Sequence, residues 1–147
     1  MKAQELRIGN LVNDPGKNGF GAMRVESILS GTLRVYLHTL DNEYLGDFAL
    51  NAIEPIPLTS EWLERFGFTF IKESVIENLK MSYWAKDALL LFVNESPPEN
   101  TYLVGYGFNI GGNYYAATNR WIDTVHELQN VYHAYRGSEL TIKETVQ

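Results

Sequence analysis

The sequence contains no cysteine. This absence excludes a disulfide framework, a thiolate zinc site and a cysteine nucleophile. Long apolar runs are also missing: the longest, residues 88–93, is the length of a strand and far short of the roughly 20 residues that span a bilayer. The first ten residues lack the apolar core of a signal peptide. We therefore expect a cytoplasmic protein that does not enter a membrane.

Positive charge is scarce and unevenly distributed. The net charge is −6, with five basic and three acidic residues in positions 1–40 and seven basic and fifteen acidic residues in positions 41–147. Nucleic-acid affinity depends on neutralised phosphates, so nucleic acid is an unfavoured partner. The balance of +2 in the first 40 residues nevertheless keeps one alternative open, a small-barrel binder of nucleic acid or peptide.

Core-forming residues are abundant. The 147 residues are 45% hydrophobic and 13% aromatic, which is ample for one domain of common size. A chain of this length buries enough surface to fold without a metal or a disulfide. No cofactor is predicted.

The first third of the chain reads as short strands separated by glycine-rich turns. Residues 32–38 alternate apolar and polar side chains, which is the period of a half-buried strand. Ser30-Gly31 provides a hairpin turn before this segment. The predicted strands are residues 6–12, 23–29, 32–38 and 43–50. Several short strands packed into residues 1–54 predict a small barrel-like β-module.

A short helix is predicted after the junction at Pro55 and Pro57, because proline holds the preceding residue extended. Thr59 is the N-cap and Gly67 ends the helix. A second set of strand segments follows, at residues 68–72, 80–85, 88–94, 102–108 and 113–117. They predict an antiparallel meander of roughly four strands.

The last predicted element is a helix over residues 120–136, capped by Thr118 or Asn119 and stopped by Gly137. Its apolar residues repeat with spacings of four and three, which is typical of one buried helix face. They are Trp121, Val125, Leu128, Tyr132 and Tyr135. We expect this face to cover the second sheet.

These elements together predict an α+β fold. The barrel-like module, residues 1–54, packs on a helix–sheet–helix unit, residues 55–147, in which two helices flank an antiparallel sheet. The junction is only a few residues long, so we expect one continuous core and a single domain.

Three stretches of the chain are distinctive: LRIGNLV at 6–12, PIPLTSEWLERFGF at 55–68, and VHELQNVY at 125–132 continuing to GSEL at 137–140. Together they resemble a family of small uncharacterised proteins encoded by bacteria and their phages or prophages. The resemblance covers about a quarter of the chain and implies a cytoplasmic, phage-related setting. It implies no activity and no site residue.

The strongest catalytic candidate is His126-Glu127, which begins an incomplete H-E-x-x-H zinc motif. Asn130 stands where the second histidine belongs, and an amide oxygen is a poor zinc ligand. His133 is two helical turns from His126, too far to replace it. An enzyme with a site near His126 remains an alternative, but a structural helix is the favoured interpretation.

A glycine-rich stretch at residues 105–112 superficially resembles a phosphate-binding loop. Its glycine spacing does not match G-x-G-x-x-G, and the residues that follow favour a strand rather than a helix. Glycines within a strand more often mark a bulge or close packing.

The aromatic residues of the second half are the remaining functional candidates. They belong either to a core beneath the last helix or to an exposed platform for a partner. The candidate interaction residues are Tyr83, Trp84, Tyr106, Tyr114 and Tyr115. With no coherent catalytic set, the sequence favours a non-enzymatic protein-interaction or assembly module, whose partner is an unknown protein or a second copy of the chain.

Overall fold

The computed structural model describes residues 5–16, 19, 21–29, 31–94 and 103–143. The fold is mostly β, with about 46% of residues in strands and 19% in helices, and its strands form two antiparallel sheets of four and five strands. The predicted α+β class is therefore wrong. Strand pairing extends through residues for which the sequence predicts turns or the start of a helix.

The chain divides into two compact units that interleave along the sequence. One unit comprises residues 1–57 and 124–139, and the other comprises residues 58–123 and 140–147. The last helix thus belongs with the N-terminal sheet, whereas the sequence predicts a simple division after residue 54.

The first unit contains the four-stranded sheet. Its strands, in spatial order, are β1 (Leu11–Asn13), β2 (Ala22–Leu29), β3 (Arg34–Thr39) and β4 (Leu45–Ala49). Strands β2, β3 and β4 confirm the predicted positions, but β1 and β4 do not pair with each other, so the predicted barrel is wrong and the sheet is open. The buried residues of its core are Leu6, Val12, Met23, Val25, Val35, Leu37, Leu50 and Ile53.

The long helix, α2 (Val125–Arg136), is also part of the first unit. Its N-cap is Thr124, whose hydroxyl accepts a hydrogen bond from the Glu127 backbone N–H. The predicted start at residue 120 is wrong, because residues 113–122 are a strand. The predicted end at Gly137 is confirmed.

Buried amides join α2 to the segment around β1. Gln129, 2% exposed, accepts a hydrogen bond from the Leu11 N–H at 2.8 Å and donates one to the Gly9 carbonyl at 3.3 Å. Asn130 Oδ1 accepts hydrogen bonds from Asn10 Nδ2 at 2.9 Å and Arg7 Nε at 3.2 Å. Each amide satisfies polar groups that would be costly to bury without partners.

The second unit contains a short helix and the five-stranded sheet. The helix is α1 (Ser60–Arg65), and the strands, in spatial order, are β5 (Thr69–Ile76), β6 (Leu79–Lys86), β7 (Leu89–Asn94), β8 (Leu103–Ile110) and β9 (Asn113–Ile122). Every neighbouring pair is antiparallel, which confirms the predicted meander, although it has five strands rather than about four.

Both predicted ends of α1 are confirmed. Thr59 caps the helix by accepting a hydrogen bond from the Trp62 N–H. Gly67 follows the helix with φ +82°, a conformation that glycine adopts without steric cost. The Phe68 N–H then donates to the Leu63 carbonyl at 2.9 Å, as in a Schellman motif.

Candidate interaction surface

The central strand of the second sheet separates two faces. Leu89, Leu91 and Val93 are at most 1% exposed, whereas the alternating residues Leu90 and Phe92 are half-buried. Side chains on a strand point alternately to opposite faces. We call the face of Leu89, Leu91 and Val93 the covered face and the face of Leu90 and Phe92 the open face.

The buried part of the covered face consists mainly of apolar side chains. Trp84 lies opposite Leu91 in the ladder, is 5% exposed and donates its indole N–H to Ser82 Oγ at 3.1 Å. Lys86 lies opposite Leu89 and donates to the carbonyl of Phe66, at the end of α1, at 2.8 Å. This lysine ties α1 to the covered face, so the face offers no room for a partner there.

The open face carries one row of residues across all five strands. Successive ladder pairs join Lys72 to Tyr83, Tyr83 to Phe92, Phe92 to Gly105 and Gly105 to Trp121. With strands about 4.8 Å apart, the row is about 19 Å long. We call these five residues the aromatic row.

The rings of the row follow one another closely. The Tyr83 and Phe92 ring centroids are 5.5 Å apart at 89°, an edge-to-face arrangement. At Gly105 a Cβ atom would stand 3.4 Å from Cζ3 of Trp121 and 3.7 Å from Cδ2 of Phe92. The missing side chain therefore lets the Trp121 indole lie over the backbone of β8 and continue the aromatic surface from Phe92.

Trp121 is the most exposed member among the rings. Its side chain is 57% exposed, whereas Tyr83 and Phe92 are half-buried. Isolated exposed apolar residues are ordinary on protein surfaces. A tryptophan that extends a continuous aromatic row is less so, because such patches usually mark contact sites.

Lys72 lies at the other end of the row. Its Nζ is 5.1 Å from the Tyr83 ring centroid, within the range of a cation–π interaction. The Tyr83 hydroxyl lies 3.5 Å from Ser74 Oγ. The row therefore has an aromatic end at Trp121 and a cationic end at Lys72.

The structure separates the five candidate residues predicted from the sequence. Tyr83 belongs to the aromatic row, whereas Trp84 and Tyr106 occupy ladder positions on the covered face, opposite Leu91. Tyr106 is half-buried and packs edge-to-face against Phe108. Tyr114 and Tyr115 are paired positions of β9, and their side chains lie outside the described residues.

Four members of the row are not among the contact residues predicted from the sequence: Lys72, Phe92, Gly105 and Trp121. Trp121 fitted the helical stripe of the last helix, so it was assigned to the wrong element. One signal pointed the other way, since Thr124 and Glu127 have the S/T-x-x-E spacing of a capping box and place the helix start after Trp121. Lys72 and Phe92 had no signal, because strand register decides which residues meet.

The residues around His126 are occupied by structural contacts. His126 is 4% exposed, and the neighbouring Gln129 and Asn130 bond to the N-terminal segment. Among the described residues, no three histidine or carboxylate side chains converge as metal ligands.

The glycine-rich stretch is the hairpin between β8 and β9. Gly111 and Gly112 have φ of +59° and +84°, which suits a two-residue turn. A strand follows the turn, so the backbone forms no helix N-terminus for a phosphate.

Two basic residues of the first unit pair with carboxylates. Arg34 Nε lies 2.9 Å from Asp47 Oδ1, and Arg7 pairs with Glu139. These pairs reduce the positive charge that a nucleic acid would meet on the first unit, and the sheet there is open rather than barrel-like.

Comparison with known proteins finds no matching family model, no matching curated protein and no matching solved structure. Among the described residues, no helix has the length and apolar character needed to cross a membrane.

Proposed function

We propose that the protein is a non-enzymatic protein-interaction module and that the open face of the second sheet is its contact surface. The single observation that carries this proposal is the exposed indole of Trp121, which continues an aromatic row from Phe92 and Tyr83. Tryptophan and tyrosine are enriched among the residues that dominate binding energy at protein interfaces.

The physical basis is the form of the surface. Aromatic side chains offer a large contact area with few rotatable bonds, so little conformational entropy is lost when a partner orders them. The row also lies on paired strands, which hold the rings in place before a partner arrives. Pre-organisation of this kind raises affinity without new contacts.

The test is capture of proteins from a lysate of the source cells by the immobilised full chain and by two variants. Trp121→Ala removes the exposed indole. Ile8→Ala is the matched control, because Ile8 is 61% exposed but lies in the first unit. We expect a protein that binds the wild type and Ile8→Ala and is lost, by about tenfold or more in affinity, with Trp121→Ala.

Loss of the indole also uncovers Gly105, so a fold control is needed. Trp121→Lys keeps an alkyl chain over the glycine but places a charge in the contact surface. We expect the urea concentration at the midpoint of unfolding to equal that of the wild type, and we expect the variant to lose the partner nonetheless. Binding that survives both Trp121 variants would contradict the proposed surface.

A further inference from the structure

At the paired positions that the structure describes, the open face carries a single kind of charge. The chain as a whole is acidic, with a net charge of −6, yet Lys72 is the only charged residue at the paired positions of the open face that the structure describes. The charge of this surface is therefore opposite in sign to the net charge of the protein. Such a surface selects partners of complementary, negative charge.

Two other lysines of the sheet form polar contacts within the protein. Lys80 pairs with Glu73 at 2.8 Å, and Lys86 bonds to the carbonyl of Phe66 on the covered face. Lys72 instead lies against the ring of Tyr83. An aromatic ring attracts a cation without neutralising it, so the ammonium of Lys72 retains its charge for a carboxylate.

We infer that the open face binds a polypeptide segment that places an apolar side chain against Trp121 and a carboxylate at Lys72. This inference rests on the proposed function. Three strand spacings, about 14 Å, separate Tyr83, beside the ammonium, from Trp121. An extended segment spans that distance with about four residues, so the apolar anchor and the acidic residue are about four positions apart.

This preference for an acidic segment is the opposite of the preference that the negative net charge of the chain would produce. An acidic protein attracts basic peptides over long distances. A preference for an acidic segment that also depends on Lys72 must therefore arise at the open face. Peptides that differ only in the charge of one residue can therefore distinguish recognition by Lys72 from long-range attraction by the whole chain.

The probes are three short synthetic peptides that share a tryptophan anchor and flanking leucines. Glutamate, glutamine or lysine stands four positions from the tryptophan. Each is titrated into the full chain by calorimetry. We expect the glutamate peptide to bind about tenfold more tightly than the glutamine peptide, a difference worth about 1.4 kcal/mol.

Two variants that each remove one lysine charge test whether the preference for glutamate arises from Lys72. Lys72→Met should remove the preference for glutamate over glutamine. Lys80→Met, on the covered face of the neighbouring strand, should leave it intact because Lys80 is 52% exposed and pairs with Glu73. Both positions are exposed, so neither variant should prevent folding.

Several outcomes would overturn the inference. These are equal binding of the three peptides, tightest binding of the lysine peptide, a glutamate preference that persists in Lys72→Met, and no binding by any peptide. A dimer of the chain that disappears with Trp121→Ala would identify a second copy as the occupant and would also overturn it. If the three peptides bind equally well and Trp121→Ala weakens all of them, only this inference fails. If no ligand or partner depends on Trp121, the proposed function fails too.

Discussion

The two units of the chain use their polar and aromatic side chains in different ways. In the first unit, the buried amides of Asn10 and Gln129, at 0% and 2% exposed, fasten a distant helix to the N-terminal segment. In the second, the covered face is closed mainly by apolar residues, and an aromatic row is left on the opposite face. The polar groups of the first unit are consumed in folding, whereas the rings of the second remain available to a partner.

This difference shows where function should be sought. A buried amide whose oxygen and nitrogen both form hydrogen bonds within the fold stabilises one arrangement of the chain. An aromatic row in contact with water has the opposite character, since covering it releases free energy. The residues that resemble a catalytic motif lie in the first region, and those that fit a contact surface lie in the second.

The largest expected effect contrasts the two faces of β7. Leu91→Ala, at a site that is 0% exposed, should lower the free energy of unfolding by about 3 kcal/mol, because it leaves a cavity in the covered face. Leu90→Ala, on the half-buried open face, should lower it by about 1 kcal/mol, because less apolar area is involved. Urea unfolding of both variants gives the comparison. Equal losses would mean that the two faces are not distinct.

A smaller effect is expected from the amide that fastens α2. Gln129→Leu removes the partners of the Leu11 N–H and the Gly9 carbonyl and should lower the free energy of unfolding by about 2 kcal/mol. Glu64→Gln, exposed on α1, is the control and should stay within about 0.5 kcal/mol of the wild type. Hydrogen exchange of the Leu11 amide should become faster in Gln129→Leu. An unchanged exchange rate would show that this bond is not what holds the helix.

The smallest effect concerns the hairpin between β3 and β4. The Thr39 hydroxyl and the Glu43 backbone N–H donate to the Asp41 carboxylate and hold the pKa of Asp41 below its ordinary value. Because the folded-state pKa is the lower one, the carboxylate stabilises the fold above about pH 4, and this contribution is lost as the pH falls through the folded-state pKa.

Thr39→Val removes the main cause of that shift while keeping the shape of the side chain. The pKa of Asp41 should rise toward its ordinary value in an NMR titration. The ion pair between Asp47 and Arg34, on the same sheet, should be unaffected by this substitution. An Asp41 pKa that does not move would assign the shift to the backbone contacts instead.

Local signals predicted the parts of the fold that depend on neighbouring residues. Thr59 and Gly67 fixed both ends of α1 from sequence alone, because capping requires specific residue types at specific positions. Strands β2, β3 and β4 followed in the same way from alternation and turn residues. These features could be read without knowing what the segments pack against.

The remaining features depend on contacts between distant residues. The spacing of the apolar residues that begin with Trp121 is compatible with a helix. The structure instead pairs Trp121 with Gly105, and this long-range pairing makes the segment a strand. The same long-range pairing places Lys72 and Phe92 in one row with Tyr83. Composition could therefore point to tyrosines as contact residues, but only the register of the sheet selects which of them share a face.

The most direct test of the central claim is hydroxyl-radical footprinting of the protein alone and with its captured partner. If the aromatic row is the contact surface, oxidation of Trp121 and Phe92 should fall when the partner binds, while that of Tyr44, 43% exposed in the first unit, should not change. Protection of Tyr44 with unchanged oxidation of Trp121 would contradict the claim and move the contact surface to the first unit.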